Sequence, residues 1–150
     1  MKAYFNIQRY RFEDKIELVD EVDESLLDVE VPPLILQPLV ENAILHGILP
    51  DGERKGVIAV RAACSKDVLT LEVADNGRGM DGERLKQVRA ALASDRPEAE
   101  GTGLRNVHRR IRYRYDEPYG LRVYSEPEAG TRCELTLPKA HGGKDKRDTE

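Results

Sequence analysis

The fold is decided by the stretch VLTLEVADNGRGM, which occupies residues 68–80. Leu69, Leu71 and Val73 alternate with polar residues, so the stretch predicts a strand with one apolar face that leads into Asp75. Asp75 continues that apolar face, where a carboxylate costs several kcal/mol unless a hydrogen-bond donor meets it. The exocyclic amine of a purine is such a donor. The alternative is that Asp75 turns to water as the first residue of an Asx-turn.

Two glycine pairs follow this strand. In Gly77-Arg78-Gly79 the missing Cβ atoms let the backbone approach a flat ligand. Gly101-Thr102-Gly103 precedes an apolar stripe of Leu104, Val107 and Ile111 at helical spacing. These glycines are therefore predicted at a helix N-terminus, where free amides and the helix dipole favour phosphate. The alternative is an ordinary helix start with Thr102 as its cap.

Another helix is predicted upstream, from Leu34 to about His46. Asn42 and His46 lie one turn apart, on a different face from the apolar stripe. Asparagine is unfavourable inside a helix unless its amide has a task, and an amide oxygen suits a magnesium ion that keeps several waters and phosphate oxygens. The alternatives are solvent exposure for Asn42 and, for His46, a cation at the helix C-terminus. The predicted apolar stripe consists of Leu36, Val40, Ala43 and Gly47.

The order of these segments resembles the Bergerat ATP-binding fold of the gyrase, Hsp90, histidine kinase and MutL superfamily. More narrowly, PPLILQPLVENAI at 32–44 and HGI at 46–48 are similar to the catalytic domain of LytS-type sensor histidine kinases. The resemblance extends from about Tyr4 to Pro138. It implies an α/β fold, namely a two-layer sandwich whose mixed and largely antiparallel sheet carries helices on one face. The implied function is transfer of the γ-phosphate of ATP, with Mg²⁺, to a histidine in an upstream domain.

The resemblance also implies a role for individual residues. Asn42 would hold the magnesium ion, Asp75 would bind the N6 amine of adenine, and Thr131 would assist Asp75, often through water. Glu41, next to Asn42, could polarise a nucleophile. The other implied contacts are Gly77, Gly79 and Met80 in the adenine pocket, and His46, Gly101, Thr102, Gly103, Leu104 and Arg105 near the phosphates.

Two positions depart from related patterns. Leu45 stands where many histidine kinases carry a basic residue, so His46, Arg105 or another arginine must meet the phosphate charge. Pro38 stands where the gyrase, Hsp90 and MutL branches carry a glutamate that activates water. This second departure argues against a dedicated ATPase.

Composition is compatible with one modest domain. The chain has 150 residues, 39% of them hydrophobic and 35% charged, and a net charge of −4. A chain of this length can bury about two thirds of its unfolded surface. A globular cytoplasmic domain is predicted, since no apolar run approaches the ~20 residues that span a bilayer. Cys64 and Cys133 fall in apolar strand patterns and are predicted to be buried, reduced thiols without a disulfide or metal.

The positions of turn-forming and helix-breaking residues predict three regions. Residues 1–14, with Tyr4–Phe12 helical, would end an upstream dimerisation helix; residues 15–138 would be the catalytic domain; and residues 139–150 would be a disordered tail. Residues 81–100 are interpreted as a mobile lid with a short helix at Leu85, Val88 and Leu92. The predicted strands are Lys15–Asp20, Asp28–Val31, Val57–Cys64, Val68–Ala74, Leu121–Ser125 and Thr131–Leu137.

Five arginines between Arg105 and Arg114 raise the possibility of nucleic-acid binding. The acidic balance of the chain favours a solvated or partner-facing helix instead. The expected partners are the protein's own upstream dimerisation and phosphoacceptor domain and a response regulator, with no nucleic acid and no direct membrane contact. The parent protein would be a membrane-anchored homodimer. A free-standing anti-sigma-type serine kinase and a nucleotide-sensing module without transfer activity are the alternatives.

Overall fold

The computed structural model describes residues 16–26, 29, 31, 35–48, 55–94 and 103–139. Their strands are β1 (Ile16–Val22), β2 (Gly56–Ser65), β3 (Val68–Asp75), β4 (Gly120–Glu126) and β5 (Gly130–Pro138). The helices are α1 (Leu36–Asn42), which continues as a π-helical segment over Ala43–Ile48, α2 (Gly82–Ala93) and α3 (Gly103–Tyr115). A short 3-10 turn occupies Glu24–Leu26.

The strands form one open sheet in the order β1-β2-β3-β5-β4. β1 runs parallel to β2, whereas the pairs β2-β3, β3-β5 and β5-β4 are antiparallel. The predicted mixed, largely antiparallel sheet is therefore confirmed. No helix in the described part of the chain is long and apolar enough to cross a membrane.

The two faces of the sheet differ in chemistry, as the alternation in β3 predicts. Arg61 on the outer face pairs with Glu21 of β1 and with Glu72 of β3 at 2.5 and 2.7 Å. The inner face packs against the helices, so the architecture is a two-layer sandwich with helices on one face. Its core includes Ile58, Val60, Leu69, Leu71, Val73, Cys133, Leu135 and Leu137 from the sheet and Leu36, Leu39, Val40, Leu104, Val107 and Ile111 from the helices.

Local predictions fared unevenly. Both predicted hairpins and the strand beginning near Lys15 are confirmed within a residue or two, but Val29 and Val31 belong to no strand and instead pack on the core beside the sheet. Cys133 is buried, which raises the pKa of its thiol to about 12. Cys64 is only half-buried, contrary to prediction, because it lies beside the hairpin turn. The predicted N-terminal helix, the tail from residue 140 onward, residues 95–100 of the lid and residues 101–102 lie outside the described residues.

Candidate functional site

A cavity of about 310 Å³ opens where the end of β3 meets α1, α2 and α3. This volume lies at the lower end of the range for small-molecule sites. Its lining joins segments that are far apart in the sequence, and most of them carry a predicted site residue. The lining residues are Asn42, His46, Gly47, Asp75, Arg78, Gly79, Met80, Asp81, Arg84, Val88, Leu104 and Thr131.

Asp75 supplies a carboxylate at the wall of this cavity, on the same side of β3 as Leu71 and Val73. Its Oδ1 accepts a hydrogen bond of 2.8 Å from the N–H of Gly77. Burial raises the pKa of Asp75 to about 6, although hydrogen bonds from the N–H groups of Gly77 and Thr131 act in the opposite direction. Asp75 thus makes the local hydrogen bond of an Asx-turn and also lines the cavity, while its binding to the amine of a purine stays a prediction. At pH 7 this carboxylate is mostly ionised and can only accept hydrogen bonds.

The loop after β3 is hydrogen-bonded to the sheet and to the π-helical segment that follows α1. Asn76 extends the pairing with β2, because its Oδ1 accepts from the N–H of Val57 at 2.8 Å and its own N–H donates to the Val57 carbonyl at 3.2 Å. The N–H of Arg78 donates to the carbonyl of Gly47 at 3.0 Å. The loop is therefore held between the sheet and this π-helical segment.

Glycine is required where these segments meet. A Cβ on Gly77 would lie 2.1 Å from the carbonyl oxygen of Gly47, and a Cβ on Gly47 would lie 2.6 Å from Oδ1 of Asp75. Gly79 has a φ of +66°, and its Cβ would lie 1.8 Å from the carbonyl oxygen of Glu126. Gly47 and Gly79 line the cavity, whereas Gly77, predicted in the adenine pocket, packs against Gly47 and is not among the lining residues. The role of Gly47 was missed in the sequence, where it appears only as a small residue in an apolar stripe.

Two hydroxyls stand beside Asp75. Thr131, the second residue of β5, is 8% exposed and lines the cavity. Its Oγ1 lies 2.9 Å from Oγ of Ser125 on β4. Ser125 also accepts from the N–H of Met80 at 2.9 Å. Sequence patterns gave no sign of Ser125, because its partners come from two other segments.

The opposite part of the cavity carries cations and an amide. Asn42 and His46 both line it, as predicted, although the π-helical segment begins directly after Asn42. Arg78 and Arg84 also line it, and Nε of Arg78 donates to the carbonyl of His46 at 3.0 Å. Leu45 points away, with 57% of its surface exposed. Arg78 and Arg84, which the sequence did not single out, therefore bring positive charge to the cavity.

The donor set fits magnesium only as a companion of a phosphate ligand. Among the described residues, no three His, Cys, Asp or Glu side chains are grouped to hold a metal ion. One amide oxygen from Asn42 is too little for a cage of protein ligands. It is adequate for an ion that keeps its waters and phosphate oxygens, which is the ordinary way in which magnesium is bound with nucleotides.

Some predicted residues are not brought to the cavity. Arg105 is buried, and its Nη2 donates to the carbonyl of Ser94 at 3.2 Å. Oε1 of Glu41 accepts from Nε2 of Gln37 at 2.9 Å. Gly103 is exposed, and a Cβ there would lie 3.1 Å from Cβ of Pro38. Gly101 and Thr102 lie outside the described residues, so phosphate binding at the start of α3 stays a prediction.

Comparison with known proteins shows the family of this chain. Residues 29–141 match the family described as histidine kinase-, DNA gyrase B- and HSP90-like ATPase. The chain is 38% identical over 138 residues to the sensor histidine kinase YesM of Bacillus subtilis, covering 92% of this chain and 22% of that protein. It is 35% identical over 138 residues to the sensor histidine kinase YpdA of Escherichia coli, covering 92% and 23%. The chain thus spans about a quarter of the length of these relatives.

Solved structures of kinases share the fold. The histidine kinase domain of a blue-light activated histidine kinase from Erythrobacter litoralis aligns with a TM-score of 0.59 and 20% identity, covering 91% of this chain and 60% of that one. Histidine kinase ThkA, solved in complex with the response regulator TrrA, aligns with a TM-score of 0.63 and 17% identity, covering 95% and 39%. On the family match, which covers most of the chain, this protein belongs to the histidine kinase-, DNA gyrase B- and HSP90-like ATPase family.

Proposed function

We propose that this domain binds magnesium ATP and transfers its γ-phosphate to a histidine carried by a separate helical segment. The observation that carries the proposal is the half-buried Asp75 carboxylate, mostly ionised at pH 7, at the wall of a glycine-shaped cavity. The N–H groups of Gly77 and Thr131 already donate to this carboxylate, and its remaining lone pairs can accept from a ligand. The N6 amine of adenine is the donor that a nucleotide would offer.

The polar end of the cavity suits the triphosphate. Arg78, Arg84 and His46 can neutralise phosphate charge, and they take the place of the basic residue that Leu45 replaces. Asn42 would hold magnesium, which bridges phosphate oxygens and offsets the charge that develops on them during transfer. Phosphoryl transfer depends mainly on such positioning and neutralisation, so this residue set is sufficient in kind.

The acceptor and the partners are proposed from the relatives. Curated relatives are named sensor histidine kinases and are about four times longer than the matched region. We propose that the acceptor histidine lies in a dimerisation domain upstream, that the parent is a membrane-anchored homodimer with this domain in the cytoplasm, and that a response regulator receives the phosphate. ThkA, solved with a response regulator, shows that a kinase of this fold meets such a partner.

The position of Pro38 predicts slow hydrolysis. The water-activating glutamate of the ATPase branches is absent there, and Pro38 instead packs near Gly103. The bound γ-phosphate should therefore persist until an acceptor imidazole reaches it.

The test is a transfer assay with radiolabelled ATP. The 150-residue chain should bind ATP without labelling itself, and mixing it with a separate polypeptide that carries the upstream helices should place acid-labile phosphate on that polypeptide. Transfer should be slower than in the intact protein, since the effective concentration given by tethering is lost. Acid-stable phosphoserine on a partner, or rapid ATP hydrolysis by the domain alone, would contradict the proposal.

A further inference from the structure

Ser125 stands at the centre of a small hydroxyl network behind the cavity. Its Oγ lies 2.9 Å from the N–H of Met80, 2.9 Å from the carbonyl oxygen of Gly130 and 2.9 Å from Oγ1 of Thr131. A serine hydroxyl has one proton to give and two lone pairs with which to accept. These three contacts therefore use all of its hydrogen-bonding capacity.

The direction of each bond follows by elimination. The carbonyl of Gly130 cannot donate, so the single proton of Ser125 must go to it. The N–H of Met80 cannot accept, so it donates to Ser125. The remaining bond must then use the proton of Thr131, which points at Ser125 and away from the cavity.

This assignment fixes the polarity of the cavity wall. Thr131 lines the cavity and presents only lone pairs to it. The neighbouring carboxylate of Asp75 also accepts only, when ionised. A ligand edge that carries an amine meets two acceptors there, whereas an edge that carries a carbonyl oxygen meets none of the donors it needs, which is a strong basis for discrimination.

We propose that Ser125 is a positioning residue for base specificity: it turns the Thr131 hydroxyl into an acceptor, and so it selects a 6-amino purine over a 6-oxo purine. This rests on the proposed function of the cavity as a nucleotide site. Ser125 touches no ligand itself and acts through Thr131. The Ser125 hydroxyl also accepts from the N–H of Met80. It is therefore hydrogen-bonded both to the loop that carries Gly79 and to the strand that carries Thr131.

The test compares ATP with inosine triphosphate, which has the same triphosphate and a 6-oxo base, by calorimetry on the full chain. In Ser125→Ala the Thr131 hydroxyl is free to rotate and donate, so the preference for ATP should fall about tenfold. Ser125→Thr keeps the hydroxyl and should keep the wild-type preference, even if both affinities change. Should Ser125→Ala fail to fold, Ser125→Cys replaces the hydroxyl by a thiol that accepts only weakly and should lower the preference in the same direction.

A second background isolates the role of Thr131. Once Thr131→Val has removed the hydroxyl, adding Ser125→Ala should leave the ratio of the two affinities unchanged. An equal loss of affinity for both nucleotides in Ser125→Ala would overturn the proposal, because a merely structural anchor weakens both alike. A fall in preference that persists in the Thr131→Val background would overturn it too. Wild-type protein that binds neither nucleotide would instead refute the proposed function on which the inference rests.

Discussion

The described residues form a second cavity besides the one at Asp75, and this larger one is not the candidate site. A groove of about 940 Å³ runs between α2, α3 and the edge strand β4, roughly three times the volume of the cavity at Asp75. Its walls carry Arg89, His108, Arg109, Arg112 and Arg122. Size and charge alone would select the groove.

Two polar side chains of the groove are engaged with the backbone of β4. Arg89 donates to the carbonyl of Val123 at 2.8 and 3.1 Å. Nδ1 of His108 accepts from the N–H of Leu121 at 3.0 Å. Burial, together with nearby Arg112, lowers the pKa of His108, so the ring stays neutral and Nδ1 can accept this hydrogen bond. Both side chains cover backbone groups on the open edge of the sheet, where unpaired groups invite strand addition. The groove thus protects an edge, whereas the smaller cavity has the carboxylate of Asp75 at its wall.

The largest effect is expected where the smaller cavity depends on close backbone packing. Gly77→Ala would place a Cβ 2.1 Å from the carbonyl oxygen of Gly47, so unfolding free energy should fall by about 2 to 3 kcal/mol. Gly82→Ala is the matched control, since nothing lies within 4 Å of its Cβ. Chemical denaturation of both variants measures the difference, and equal stability for the two would mean that the loop is free to move away from α1.

The metal end of the cavity gives the next effect. Asn42→Ala should weaken binding of magnesium ATP at least about tenfold while leaving metal-free adenosine almost unaffected, because the amide is proposed to contact only the metal and the phosphates. Calorimetry with the two ligands provides its own control. Equal losses for both ligands would show that Asn42 supports the helix rather than the metal.

A pH dependence should separate the two cavities further. With the pKa of Asp75 raised to about 6, adenosine binding should weaken about tenfold between pH 7 and pH 5, as the fraction of ionised carboxylate falls. Because its pKa is raised by folding, Asp75 binds a proton more readily in the folded state than in the unfolded chain. Stability should therefore decrease as pH rises from 3.8 to about 6, and Asp75→Asn should remove this part of the slope. Adenosine affinity that stays constant from pH 7 to pH 5 would exclude an ionised Asp75 from base binding.

The smallest effect is expected in the groove. Arg89→Met leaves the carbonyl of Val123 without its side-chain donor and should cost about 1 kcal/mol of stability, with ATP affinity unchanged. Arg109→Met is the control, because Arg109 is exposed and lines the same groove. A loss of ATP affinity in the Arg89 variant would break the distinction between the two cavities.

Sequence patterns were sufficient to predict which side chains of a single strand or helix face the core. Alternation in β3 placed Leu69, Leu71 and Val73 in the core and Asp75 on the same face, at the cavity wall. Helical spacing placed Leu104, Val107 and Ile111 in the core. These predictions depend on side-chain direction along one element, which a period of 2 or 3.6 residues fixes. The resemblance to a family then added the roles that spacing cannot give.

Contacts between distant segments could not be predicted in this way. Asn76 pairs with Val57 and Ser125 with Met80, at separations of 19 and 45 residues. The π-helical segment after Asn42 brings Gly47 against Gly77. None of these positions departs from an ordinary pattern, so only the packed structure shows why those residue types are needed there.

The central claim is that Asp75 in the smaller cavity reads the base of a nucleotide. Calorimetric titration of ATP into wild-type protein, Asp75→Asn and Arg109→Met tests it most directly. Asp75→Asn should lose about ten- to a hundredfold in ATP affinity, the range for a hydrogen bond to a charged group, while Arg109→Met in the groove should bind as the wild type does. Unchanged ATP affinity in Asp75→Asn, together with an unaltered preference for ATP over inosine triphosphate, would contradict the account.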